Sequence, residues 1–260
     1  MTTPPTLQRP GAGLHYDSRE ADTVGRTSEC IASELAELVS RADLSKCLEE
    51  AALYGSLVRG DFDPNISDID IFLVISDRCP VADAVEEVKK LLVESARKCI
   101  GGLPVRGVDV AWCLAEELGY GCQYKFLTLY RMDFEENHII AWGRALHKKI
   151  PWQSWSEILC GSLERVKTRL REWSGKPELL PIAAGEAVKL ALAASGYRGP
   201  WTKHGILREL EARGWKRALG LWRKYIEGSR VEPVEALQTA QEALRMVRNL
   251  LGDCSRLAVD

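Results

Sequence analysis

The stretch that most constrains this chain runs from Leu53-Tyr54-Gly55-Ser56 to Ser67-Asp68-Ile69-Asp70-Ile71-Phe72-Leu73-Val74. The first apolar run breaks at a glycine followed by a hydroxyl, and the second opens with an Asp-x-Asp. The aliphatic length of the second run predicts a buried strand. Side chains alternate along a strand, so Ile69, Ile71, Leu73 and Ile75 point one way and Asp68 and Asp70 the other. Two carboxylates on one face repel unless a cation sits between them, and hard oxygen ligands of this kind suit Mg²⁺ together with phosphate oxygens.

Glu50-Ala51-Ala52-Leu53-Tyr54 reads as a short strand ending at Gly55. Glycine permits a tight turn and close backbone approach. Ser56 supplies a hydroxyl, and Ser56-Leu57-Val58-Arg59 can begin a short helix whose N–H groups attract phosphate, with Gly60 closing the turn. The turn is no P-loop, because G-x-x-x-x-G-K-[ST] is absent. A two-metal site or an activated hydroxyl calls for a third carboxylate. Asp109 in Val108-Asp109-Val110-Ala111-Trp112 is the preferred candidate, because it shares its strand face with small Ala111 and Cys113. Glu116 and Glu117 compete for the role but read as the start of a solvated helical turn.

Several other patterns fail on inspection. Asp61-Phe62-Asp63-Pro64-Asn65 resembles the start of a calcium loop, yet Ile66 and Phe72 stand where Gly and Glu are required. The histidines at 15, 138, 147 and 204 have no ligand spacing, and no G-x-S-x-G elbow surrounds Ser56. The eight cysteines contain no Cys-x-x-Cys pair, so zinc is not expected. In a cytoplasmic chain they are expected mostly reduced and buried, with disulfides an exception known from hyperthermophiles. With 35 Lys and Arg against 37 Asp and Glu, no basic excess announces a nucleic-acid partner. No run is apolar enough to span a bilayer, and the N-terminus lacks a signal-peptide layout, so a cytoplasmic protein without membrane contact is expected.

Gly55-Ser56, Asp68-x-Asp70 and Asp109 on a later strand together resemble the polymerase-β-type nucleotidyltransferase superfamily, over residues 50–113. The helical second half makes the chain similar to the aminoglycoside and minimal nucleotidyltransferases. The resemblance implies that Asp68 and Asp70 bind two Mg²⁺ ions, that Asp109 is a ligand or base, and that Gly55 and Ser56 contact the triphosphate. It further implies a lysine reaching the phosphates from the helical half. Lys203 is the counterpart, with Thr202 as N-cap, and Lys189 is the second choice. The implied reaction moves a nucleoside monophosphate from ATP or another triphosphate to a hydroxyl of a small-molecule or protein acceptor, an aminoglycoside-like one among the options, and releases pyrophosphate. The alternative is an antitoxin-like or protein-modifying module acting through a protein partner.

The expected fold is α+β, a small mixed sheet with helices, followed by an all-α helical bundle. Residues 1–27 read as a flexible tail, 28–150 as the catalytic domain and 151–260 as the bundle, with a boundary at Pro151. A helix is expected from Ser28 as its cap, carrying Ile31, Leu35, Leu38 and Val39, and another over Val81–Ile100 ending at Gly101. Residues 123–147 read as two helices, the second containing His138-Ile139-Ile140-Ala141-Trp142. In the bundle, Arg165, Lys167, Arg169 and Arg171 read as a solvated face. The tryptophans at 152, 155, 173, 201, 215 and 222 read as packing.

Overall fold

The computed structural model describes residues 18–63, 67–100, 105–119, 128–252 and 254, with side chains from residue 26. Strands β1 (Leu48–Tyr54), β2 (Ile69–Ile75), β3 (Val108–Leu114) and β4 (His138–Gly143) form one sheet in the order β3-β2-β1-β4. Strand β1 runs antiparallel to both β2 and β4, and β2 runs parallel to β3. A parallel pair needs a crossover, which helix α3 (Val81–Cys99) supplies. Helix α1 (Ser18–Arg41) packs against α3.

The two central strands are apolar on both faces because both faces are covered. One face places Leu53, Ile69, Ile71, Leu73 and Ile75 against Ile31, Leu35 and Val39 of α1 and Val88 and Leu92 of α3. The other places Tyr54, Phe72, Val74, Ala111 and Cys113 against Phe134, Leu146 and Ile150. Phe134 belongs to helix α4 (Tyr130–Glu136), and its ring meets Tyr54 and Phe72 edge-on. The alternation inferred from sequence for Asp68, Asp70 and the isoleucines is therefore realised. Buried Glu50, an unusual residue for such a strand, accepts the His147 backbone N–H at 2.8 Å and contacts its Nδ1. That link fastens the segment leaving β4 back onto β1.

Three expectations about elements need correction. His138–Gly143 is a strand, not a helix. An apolar run this short fits either period, and the open edge of β1, together with β-branched Ile139 and Ile140, decides for the sheet. Gly143 ends it at φ +76°, where a Cβ would lie 2.0 Å from the Glu49 carbonyl oxygen. Second, α1 begins at Ser18, so Ser28 is a buried helical residue and not a cap. Residues 18–27 lack an apolar period, but a helix nucleated by its packed half propagates at little cost. Third, the described cysteines are not reduced: Cys30 pairs with Cys99, Cys47 with Cys79 and Cys160 with Cys254, and no free thiol occurs among the described residues. These pairings span 69, 32 and 94 residues, separations at which linear spacing carries no signal. Gly101, and the first residues of the 123–147 segment, lie outside the described residues.

The remaining helices are α5 (Trp155–Glu172), α6 (Leu180–Ala194), α7 (Lys203–Arg213), α8 (Lys216–Ile226) and α9 (Pro233–Leu251). Ser154 and Glu157 form a reciprocal capping box at the start of α5. Helix α6 is apolar around most of its circumference and sits at the centre of this half, in contact with α5, α8 and α9. Its alanines let α9 approach closely, and Val188, Leu192, Ala240 and Val247 belong to one buried cluster. No described helix is long and apolar enough to cross a membrane.

The Cys30–Cys99 bridge ties α1 to the end of α3. For a loop of 69 residues the chain-entropy account gives about 4 kcal/mol of stabilisation. Denaturant unfolding with and without reductant should show a lower midpoint in the reduced protein. Coincident curves would contradict a structural role for the bridges.

Candidate active site

Strand β1 delivers the chain to Gly55, whose φ of +74° starts a sharp turn into the four-residue helix α2 (Ser56–Arg59), which Gly60 ends in the left-handed region. Gly55 has a second constraint. A Cβ at this position would lie 2.1 Å from Oδ2 of Asp70, so the Asp70 carboxylate rests against the turn backbone. Gly107, just before β3, plays the same part for Asp68: a Cβ there would stand 2.9 Å from Asp68 Oδ1. Asp70 and Asp109 are direct partners in the parallel β2–β3 register. Asp68, Asp70 and Asp109 thus come together at one end of the sheet.

They line a cleft of about 400 Å³ between the sheet and the helices, shared with Ser56, Lys189 of α6 and Lys203 of α7. The side chains of Ser56, Asp68, Asp70, Asp109, Lys189 and Lys203 all reach this cleft, and Gly55 packs against Asp70. Glu116 and Glu117 do not line it. The Glu117 carboxylate accepts the Leu114 N–H, and the Glu116 N–H bonds Asp77. Among the described residues no three acidic, imidazole or thiol groups are gathered closely enough to enclose a metal on their own.

Lysine 203 locks the helical half to the loop after α2. Its backbone N–H donates to Asp61 Oδ2 at 2.7 Å, and its Nζ donates to the Asp61 carbonyl at 2.7 Å and to Ser67 Oγ at 2.8 Å. Thr202 caps α7 by accepting the Gly205 N–H at 3.0 Å. Burial lowers the Lys203 pKa, and Asp61 and Asp63 oppose that shift. Burial also lowers Lys189, with the Arg59 charge adding to the effect. Lys189 lies over the Trp222 ring, 5.8 Å from its centroid. Arg59 bridges Asp61 and Asp133. Burial pulls its pKa down, but Asp133, Asp61 and Asp70 outweigh burial and hold it above the ordinary value.

Sequence reasoning missed the far wall. Arg59, Arg106, Tyr130, Arg169, Trp173, Glu186, Trp222 and Tyr225 also line the cleft. Glu186 accepts from the Tyr130 hydroxyl and from Arg169, and Arg165 stands 3.9 Å away. Arg165 and Arg169 therefore face inward, correcting the solvated face expected for them. The signal was present in the i, i+4 spacing of Arg165, Arg169 and Trp173, which puts two cations and an indole on one helix face. Burial raises the Tyr225 pKa, and the Arg106 charge opposes this.

At one end of the sheet a glycine-serine turn thus meets carboxylates on two parallel strands. Residues 32–140 match the nucleotidyltransferase domain family, and this stretch is a nucleotidyltransferase domain of the polymerase-β-type superfamily. Its chemistry is nucleotidyl transfer. No curated protein matches the chain.

Gly55→Ala would set a methyl against Asp70 in a backbone conformation that strains any L side chain. The variant should melt several degrees below the wild type, as a loss of about 1–3 kcal/mol from strained backbone implies. An unchanged melting temperature would contradict the packing argument.

Proposed function

We propose that the protein is a Mg²⁺-dependent nucleotidyltransferase that moves a nucleoside monophosphate from ATP or another triphosphate to a hydroxyl of an acceptor. The observation that carries this reading is the convergence of Asp68, Asp70, Asp109, Ser56, Lys189 and Lys203 on one cleft, with Asp70 seated on Gly55. The all-oxygen donor set of Asp68, Asp70 and Asp109 on one cleft suits Mg²⁺, with these three as its protein ligands and phosphate oxygens supplying the rest of its shell. When bound, the metal would neutralise phosphate charge and lower the pKa of the attacking hydroxyl.

Around it the chain's own residues have separate tasks. Ser56 and the N–H groups of the α2 turn hold the β- and γ-phosphates. Lys203, and Lys189 behind it, supply positive charge to the departing pyrophosphate. Asp109 accepts the acceptor's proton. The acceptor oxygen forms a bond to the α-phosphorus as the bond from that phosphorus to the β-bridging oxygen breaks, and its electron pair leaves with pyrophosphate.

The division into a catalytic half over 28–150 and a helical half over 151–260 belongs to the same reading. It is supported by the separate buried clusters on the sheet and around α6. We assign the protein to the cytoplasm, the compartment that supplies nucleoside triphosphates, where its disulfides are of the kind found in intracellular proteins of hyperthermophiles.

Calorimetric titration of each nucleoside triphosphate, with and without Mg²⁺, tests the reading. Binding should require the metal and should fall at least ~100-fold, or about 2.7 kcal/mol, in Asp68→Ala and Asp70→Ala. Metal-independent binding, or variants that bind like the wild type, would sink it. The lowered lysine pKa values add a pH signature. Affinity should fall on the alkaline side at a pH below the ordinary lysine range, because deprotonation removes the charge that meets the phosphates. Lys203→Arg should move that limb upward, since guanidinium stays protonated; an unshifted limb would leave Lys203 without a role at the triphosphate.

A further inference from the structure

Asp61 stands just beyond the α2 turn, in the stretch that fails as a calcium loop, and is not among the residues that line the cleft. Its side chain is nonetheless only 3% exposed. A carboxylate withdrawn this far from water is costly unless it is paired. The partners of Asp61 come from both halves of the molecule.

On the sheet side, its backbone N–H donates to the Ser56 carbonyl at 3.1 Å, and its Oδ1 stands 3.2 Å from Nε of Arg59. On the helical side, its Oδ2 accepts the Lys203 N–H at 2.7 Å, and its carbonyl accepts from Lys203 Nζ at 2.7 Å. That N–H is the first of α7, so the carboxylate also faces the positive end of this helix. Lys203 Nζ has a second acceptor in Ser67 Oγ, on the residue before Asp68. An ammonium carries three donors on a flexible stem. Two of them are fixed here, so Lys203 meets the cleft at one place instead of sweeping through it.

We propose that Asp61 is the positioning residue for nucleotide binding: it holds the Lys203 ammonium and the Ser56 turn at a set separation while touching neither phosphate nor metal itself. The inference rests on the nucleotidyltransferase reading and adds to it a residue that acts through Lys203. Charge works in the same direction as geometry. Asp61 and Asp63 of this loop favour the charged form of Lys203, whereas burial, Arg59 of α2 and Lys189 of α6 disfavour it. Tyr225 of α8 lines the same cleft and stays neutral, because burial raises its pKa. Without the Asp61 charge, Lys203 would lose its proton at a lower pH.

The test is calorimetric titration of a non-hydrolysable ATP analogue with Mg²⁺ into the full chain, repeated from neutral to alkaline pH. Asp61→Asn, which keeps the size and loses the charge, should weaken binding at least ~10-fold and move the alkaline limb to lower pH. In a Lys203→Met background the same substitution should change affinity by less than about twofold, because the two residues act as one unit. A purely structural Asp61 would weaken both backgrounds alike and leave the limb in place. Either of those results, or unchanged affinity in Asp61→Asn, would overturn the proposal. Should Asp61→Asn not melt cooperatively, Asp61→Glu takes its place: it keeps the charge but moves the carboxylate, so affinity should fall in the wild-type background and not in Lys203→Met. Equal losses in the two backgrounds would again contradict the assignment. A wild-type chain that binds no analogue would instead strike the underlying reading, so the two failures are distinguishable.

Discussion

The architecture of the site depends on how closely the Asp70 carboxylate approaches the backbone of Gly55. The turn after β1 and the start of β2 come together with no space for even a methyl group between them. The glycine-serine turn at the end of one strand and a carboxylate on its neighbour are thereby brought side by side. Antiparallel pairing of β1 with β2 fixes the relative height of these two parts, and parallel pairing of β2 with β3 adds Asp109 beside Asp70. A slip of one residue in either register would turn the carboxylates into the apolar layer beneath α1 and α3. The hydrophobic faces of β2 therefore do as much to position the chemistry as the acidic residues themselves.

The helical half supplies what the sheet lacks. Lys203 reaches across to the Asp61 carbonyl and Ser67, and its own backbone N–H is held by the Asp61 side chain, so the helical half is tied to the loop that follows the glycine-serine turn. Asp61 also pairs with Arg59, and Arg59 with Asp133 of α4, which extends the tie under the cleft. Burial of these charges is tolerated because each meets an opposite charge or a hydrogen-bond partner. The depressed pKa values of Lys189 and Lys203 are the residual cost of holding ammonium groups in such a place.

The acidic motif, the glycine-serine turn and the capped helix beginning at Lys203 were legible in the sequence because each is a local pattern with a local cause. Strand alternation alone assigned Asp68 and Asp70 to one face, and the small neighbours of Asp109 marked the same face of β3. What could not be read was set by partners distant in the chain. Strand β4 depends on the open edge of β1, and its six residues carry no period of their own. The Cys30–Cys99 disulfide joins cysteines whose spacing means nothing until α1 lies on α3. The inward turn of Arg165 and Arg169 depends on Glu186, a buried carboxylate on another helix, so the basic face of α5 was mistaken for a solvated one. Gly107 escaped notice because its role is to clear space for Asp68 on a neighbouring strand.

The central claim is that the protein supplies only part of a metal shell and that the nucleotide phosphates complete it. Titration of Mn²⁺, followed by its paramagnetic resonance signal, tests this directly. The account predicts weak uptake by the protein alone, tight uptake of two ions per chain once a non-hydrolysable ATP analogue is present, and loss of that uptake in Asp70→Ala. Mn²⁺ binding that is equally tight without nucleotide, or that is indifferent to Asp70, would contradict it.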